Sequence, residues 1–72
     1  MEKVYVVFDG EYIILGIFRT FESAKRRALE EIEYVCNESG FDEKDKSNMI
    51  LQLNDDNYVD EIVCIDAETL YD

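Results

Sequence analysis

The residues with the greatest capacity for chemistry in this chain are carboxylates. They crowd the stretch NDDNYVDE at positions 54–61, where Asp55, Asp56, Asp60 and Glu61 occur without a base. Clustered carboxylates can hold a hard cation, share a proton for acid–base work, or present negative charge to a cationic partner. A calcium loop needs acidic or amide side chains at positions 1, 3 and 5, glycine at 6 and glutamate at 12. Started at Asn54, the register puts Tyr58 at 5 and Val59 at 6; started at Asp55, it puts Val59 at 5. No glycine follows Gly40, so neither register makes a calcium loop.

Other chemistries narrow as quickly. The chain has no histidine, which excludes a Ser-His-Asp or Cys-His pair. Its two cysteines, Cys36 and Cys64, form no C-x-x-C pattern and cannot supply the four ligands of a structural zinc site. Each falls in an apolar pattern, where reduced core thiols are common, and that favours a cytoplasmic setting; a Cys36–Cys64 disulfide is the alternative. The three glycines are scattered and make no phosphate-cradling loop. Paired carboxylates need a cleft that separates their pKa values, and 72 residues leave little volume for one. The expectation is a non-enzymatic protein with no metal and no cofactor.

Charge is the dominant property. Eighteen acids stand against seven bases, a net charge of −11, while an apolar content of 47% is that of a folded domain. Residues 1–36 carry seven acids and five bases, net −2, and residues 37–72 carry eleven acids and two bases, net −9. Such a field repels nucleic acid and anionic membranes and attracts basic proteins. The one basic cluster, Lys25-Arg26-Arg27, has acidic neighbours at helical spacing (Glu22 with Arg26, Arg26 with Glu30, Arg27 with Glu31) and reads as a solvated helix face. Direct nucleic-acid binding is not expected, because such affinity comes largely from phosphate neutralisation. The longest apolar run, YIILGIF, is a strand length and far short of the roughly 20 residues of a spanning helix, and MEKVYVVFDG lacks a signal peptide's basic region. A soluble cytoplasmic protein without membrane contact is expected.

The elements that must position the acids follow from periodicity. KVYVVF (3–8) alternates as a strand, Asp9-Gly10-Glu11 signals a hairpin, and YIILGIF (12–18) returns, with Gly16 marking a bulge or close approach. Thr20 suits a helix N-cap, and Phe21, Ala24, Ala28, Ile32, Val35 and Cys36 make one apolar face of a long helix that ends near Gly40. Residues 43–52 read as a short second helix capped by Asp42, although Met49, Leu51 and Leu53 also alternate like a strand. A last strand falls near 59–66, and the tail AETLYD is expected to pack Leu70 or Tyr71 on the sheet edge and fray. The fold class is α+β: a single compact domain over 1–72, with a small antiparallel sheet (hairpin plus C-terminal strand) packed on one long helix, ββα(α)β.

Both faces of this sheet are apolar. Tyr5, Val7, Ile13, Leu15, Ile17, Val63 and Ile65 share one face, opposite Val4, Val6, Phe8 and Ile14. Either the second helix or another copy must cover the first set, and a homodimer through it is the expectation.

The acids form an array: Asp42, Glu43 and Asp45, then Asp55, Asp56, Asp60 and Glu61, then Asp66, Glu68 and Asp72, extended by Glu30 and Glu33 on the helix. Acids two apart on a strand lie about 6.6 Å apart and four apart on a helix about 6 Å, similar in scale to successive phosphates. Such an array can occupy a groove lined with Lys and Arg that normally holds DNA.

The pattern VYVVFDGEYIILGIF…FESAKRRA, roughly the first 28 residues, together with small size, acidity and lack of histidine, resembles small phage-encoded accessory and host-takeover proteins, several of which are DNA mimics. The likeness is one of class, since DNA mimics share no motif residue by residue. It implies a basic DNA-binding host protein as partner and the host bacterial cytoplasm as location. Nucleoid proteins, RNA polymerase, restriction or CRISPR nucleases and repair glycosylases are all such targets. A histone-like nucleoid protein fits best, because its basic DNA-binding saddle suits a compact acidic dimer. The alternative is a generic protein-interaction module that binds through its apolar sheet face, with acidity serving solubility alone.

Overall fold

The computed structural model describes residues 2–70; Met1, Tyr71 and Asp72 lie outside, and with them two expectations, the packing of Tyr71 and the contribution of Asp72. The element order is β1 (Glu2–Asp9), β2 (Ile14–Phe18), α1 (Phe21–Ser39), α2 (Glu43–Asp56), β3 (Tyr58–Val59) and β4 (Val63–Leu70), in one antiparallel sheet ordered β2-β1-β4-β3. The α+β class expected from periodicity is the one observed.

Local chemistry sets the helix ends. The Thr20 hydroxyl accepts from the Ser23 amide (3.2 Å), and Gly40, in the left-handed region at φ 72°, donates its N–H to the Cys36 carbonyl. Asp42 caps α2 by accepting from the Asp45 amide (2.9 Å). That helix runs one turn beyond the expected residue 52, because Leu53 faces the core and Asn57, at φ 60°, ends the helix with its N–H on the Leu53 carbonyl.

The hairpin departs from expectation at its tip. The Asp9 carboxylate accepts from the Glu11 and Ile13 amides (2.8 and 3.0 Å), and Tyr12 takes the left-handed conformation at φ 62°. Residues 10–13 are therefore a turn, and β2 begins at Ile14. The last strand is shifted as well. Residues 58–59 fold back on Val63 and Cys64, whereas residues 67–70 pair with the start of β1, from Tyr5↔Ala67 to Glu2↔Leu70. Within the tail expected to fray, residues 67–70 are strand.

A bulge decides which sheet face is covered. Val7 pairs with Gly16 and Phe8 with Ile14, so Leu15 is an extra residue that breaks the alternation of β2. Leu15 and Phe18 join Tyr5, Val7, Val63 and Ile65 on the face beneath the helices. There Ala24, Ala28, Ile32 and Cys36 of α1 and Leu53 of α2 complete the core. Two alanines let α1 approach Val7, which has no exposed surface.

The face assigned to a second copy must therefore be corrected. Val7, Val63 and Ile65 are buried beneath this chain's own helices and are not available to a partner, and Tyr5 and Leu15 are partly buried against the same core. Ile13 belongs to the exposed turn, and Ile17 pairs with Val6 on the opposite face. Both helices contribute to one core, so neither covers the face bearing Val4, Val6, Phe8, Ile14 and Ile17, where Ile14 and Ile17 are exposed and Val4 and Val6 are nearly buried.

Candidate interaction surfaces

Two surfaces stand out: an acidic end and the open sheet face. At the acidic end the hairpin turn meets the β3–β4 turn. The Glu61 carbonyl lies against Gly10, where a β-carbon would overlap it, so glycine is required for this approach. Glu61 sits in the left-handed region at φ 63°, and the Ile62 amide closes its turn on the Val59 carbonyl (3.0 Å). The contact brings Asp9 beside Asp60 and Glu61 around a small cavity of about 60 Å³ that Tyr12 and Tyr58 also line. On the other side of the turn, Glu31 of α1 adds a further carboxylate to a wide, open groove with Glu11 and Glu61.

Asp55 and Asp56 occupy the last turn of α2, which contains no base. The helix macrodipole is negative there, so a carboxylate in that turn is unfavourable by roughly 0.3–1 kcal/mol. Glu43 and Asp45, in contrast, sit in the first turn of α2, where the dipole favours them. Asp42 is the cap itself, and its charge therefore serves the fold.

All the expected array residues within 2–70 are exposed: Glu30, Glu33, Asp42, Glu43, Asp45, Asp55, Asp56, Asp60, Glu61, Asp66 and Glu68. They do not form one surface. Asp60 and Glu61 lie at the acidic end, Asp55 and Asp56 in the last turn of α2, Asp66 and Glu68 on the open sheet face, and Glu33 pairs with Lys46 (3.7 Å). Of the ion pairs expected on α1, Arg27–Glu31 forms at 3.6 Å. Sequence reasoning missed Asp9 and Glu11, although Asp9-Gly10-Glu11 was read as a hairpin tip. Their proximity to residues 60–61 depends on a contact across some 50 positions of chain.

On the open face, cross-strand pairs set three parallel rows. Val4, Val6 and Phe8 of β1 run along the middle; Ile14 and Ile17 of β2 flank them on one side. Cys64, Asp66 and Glu68 of β4, paired with Phe8, Val6 and Val4, flank them on the other. Val4 and Val6 are 9% and 8% exposed, whereas Ile14 and Ile17 are 55% and 61% exposed. The face ends in aromatics, with Tyr12 tilted on Phe8 at 6.5 Å between ring centroids. At the opposite corner Arg19 pairs with Glu2 (3.7 Å).

The thiols have structural surroundings. Cys36 is buried, with its Sγ 3.8 Å from the Met49 Sδ, and burial pushes its pKa up. Cys64 is half-buried on the open face. Burial first, then the charge of Asp66 and the hydrogen bond to its Oδ1 (3.5 Å), raise that thiol too. Both are free, and a raised pKa makes each a poor nucleophile at neutral pH. Among the described residues no charged or polar side chain is buried, and no three Cys, Asp or Glu side chains come together to hold a metal ion. No helix among them is long and apolar enough to cross a membrane.

No family model matches the chain, and comparison with curated proteins and with solved structures returns no match.

Proposed function

We propose that this protein is a non-enzymatic acidic inhibitor that occupies the basic DNA-binding surface of another protein, a histone-like nucleoid protein being the best candidate. The observation that carries the reading is the placement of Asp55 and Asp56 in the base-free last turn of α2, against the helix dipole and a few residues before Asp60 and Glu61 in the chain. Charge placed where it opposes the local fold is a mark of function, since folding alone favours consistency between levels. Charge density supports the same reading. The molecule measures 45 × 21 × 17 Å, and residues 2–70 carry 17 acids and 7 bases, net −10. Dividing 45 Å by ten charges gives one per about 4.5 Å, close to the 3.4 Å of a single DNA strand.

The test is displacement. Labelled duplex DNA bound to a histone-like nucleoid protein is titrated with this protein. Release of DNA at low salt that weakens steeply as salt rises supports the reading, because the contacts are screened charges. Loss of release on Asp55→Lys, Asp56→Lys, Asp60→Lys and Glu61→Lys together locates the effect. Absence of release at any salt concentration rejects it for that target.

A further inference from the structure

We infer that the open sheet face is a docking site for a basic amphipathic helix of a partner protein. The inference is independent of the DNA-mimic reading, because it concerns a different surface. The face has the layout of a receptor for such a helix: an apolar middle, an apolar rail and an acidic rail. Val4 to Phe8 spans about 13 Å at the strand rise, enough for the i to i+7 apolar stripe of a helix, about 10.5 Å long. Val4 and Val6 are nearly buried, so Ile14 and Ile17 on the β2 side, with Phe8, supply the reachable part of that floor. On the β4 side Asp66 and Glu68 stand directly beside Val6 and Val4. They are two residues apart on one strand, about 6.6 Å, which matches the roughly 6 Å between cations at i and i+4 of a helix lying along β1.

Charge decides between occupants. A second copy seated on this face would bring the Asp66 and Glu68 of both copies into one interface. The base nearest that face, Arg19, is already engaged with Glu2. A nucleic acid or an anionic membrane meets the same rail with like charge. A helix carrying an apolar stripe flanked by Lys or Arg satisfies both rails at once.

The probes are two helical peptides of about 16 residues with the same leucine stripe, one flanked by Lys and Arg and the other by Glu. Each is titrated into the full chain and followed by amide chemical shifts and calorimetry. The inference expects the basic peptide to perturb Val4, Val6, Ile17, Asp66 and Glu68 while sparing residues 55–61. It also expects the acidic peptide to bind at least tenfold more weakly. Ile17→Glu, at an exposed position that leaves the core intact, should weaken the basic peptide at least tenfold. No binding of the basic peptide, equal affinity for both peptides, shifts centred on residues 55–61, or indifference to Ile17→Glu would each overturn it. So would a dimer in sedimentation that Ile17→Glu dissociates, since a second copy would then be the occupant.

Discussion

Gly10 packs against the backbone of Glu61, and this one contact turns two separate acidic turns into a single acidic end. Gly10→Ala must push them apart, because a β-carbon there has only rigid backbone to displace. A loss of about 1–3 kcal/mol is expected, the usual range for overpacking, read as a lowered urea midpoint with an unchanged slope.

The two sheet faces should respond differently to truncation. Ile32, fully buried on the core side of α1, should cost about 2–5 kcal/mol on replacement by alanine. Ile17→Ser, on the open face, should change stability by no more than about 0.5 kcal/mol. Paired urea denaturations make the comparison, and equal costs would contradict the assignment of faces.

Asp42 is an acid whose first duty is structural. Asp42→Ala should cost about 1 kcal/mol through loss of the cap on α2, whereas Asp42→Asn or Asp42→Ser should recover most of it without the charge. Thermal unfolding of the three variants separates capping from charge.

Thiol reactivity should follow the raised pKa values. Alkylation of Cys64 should stay slow at neutral pH and accelerate only above the ordinary thiol range, and Cys36 should react only on unfolding. The linkage has a defined sign. A thiol whose folded pKa lies above its unfolded value adds stability that is complete below the unfolded pKa and lost as pH rises through the folded one. Cys36→Ala should flatten that alkaline loss, as followed by urea midpoints across the alkaline range.

Self-repulsion should make stability depend on salt. With a net charge of −11 and three ion pairs among the described residues, raising ionic strength from about 0.01 M to about 0.15 M shortens the screening length from about 30 Å to about 8 Å. The melting temperature should rise over that interval in calorimetry.

Much of this architecture can be read from local signals. Ala24, Ala28, Ile32 and Cys36 at helical spacing, between Thr20 and Gly40, define α1 with both its caps. The choice of covered face is not local. Both sides of β1 are apolar, and the decision falls to the register of β2, where the extra residue Leu15 sends Ile17 to the side opposite Val7. Alternation applied to 12–18 puts Leu15 and Ile17 together, and the bulge separates them. Likewise, Asp55, Asp56, Asp60 and Glu61 are visible as a run, while Asp9 and Glu11 come beside residues 60–61 only through the fold. The length of β4 was hidden because AETL lacks an apolar pattern. The start of β1, pairing from Glu2 to Tyr5, supplies the template that makes it strand.

The outer flank of β4 has a consequence for solubility under acid conditions. Beyond the Ile65 amide, which donates to the Asn57 carbonyl (2.9 Å), residues 66–70 have no strand on the side away from β1 among the described residues. An unpaired edge is a template for further strands, and Asp66 and Glu68 guard it by like-charge repulsion between copies. That repulsion depends on the net negative charge of the molecule. Near the sequence pI of about 4.1, the same edge becomes a nucleus for strand-to-strand association, and fibrillar aggregates should grow from a protein that stays dispersed at neutral pH.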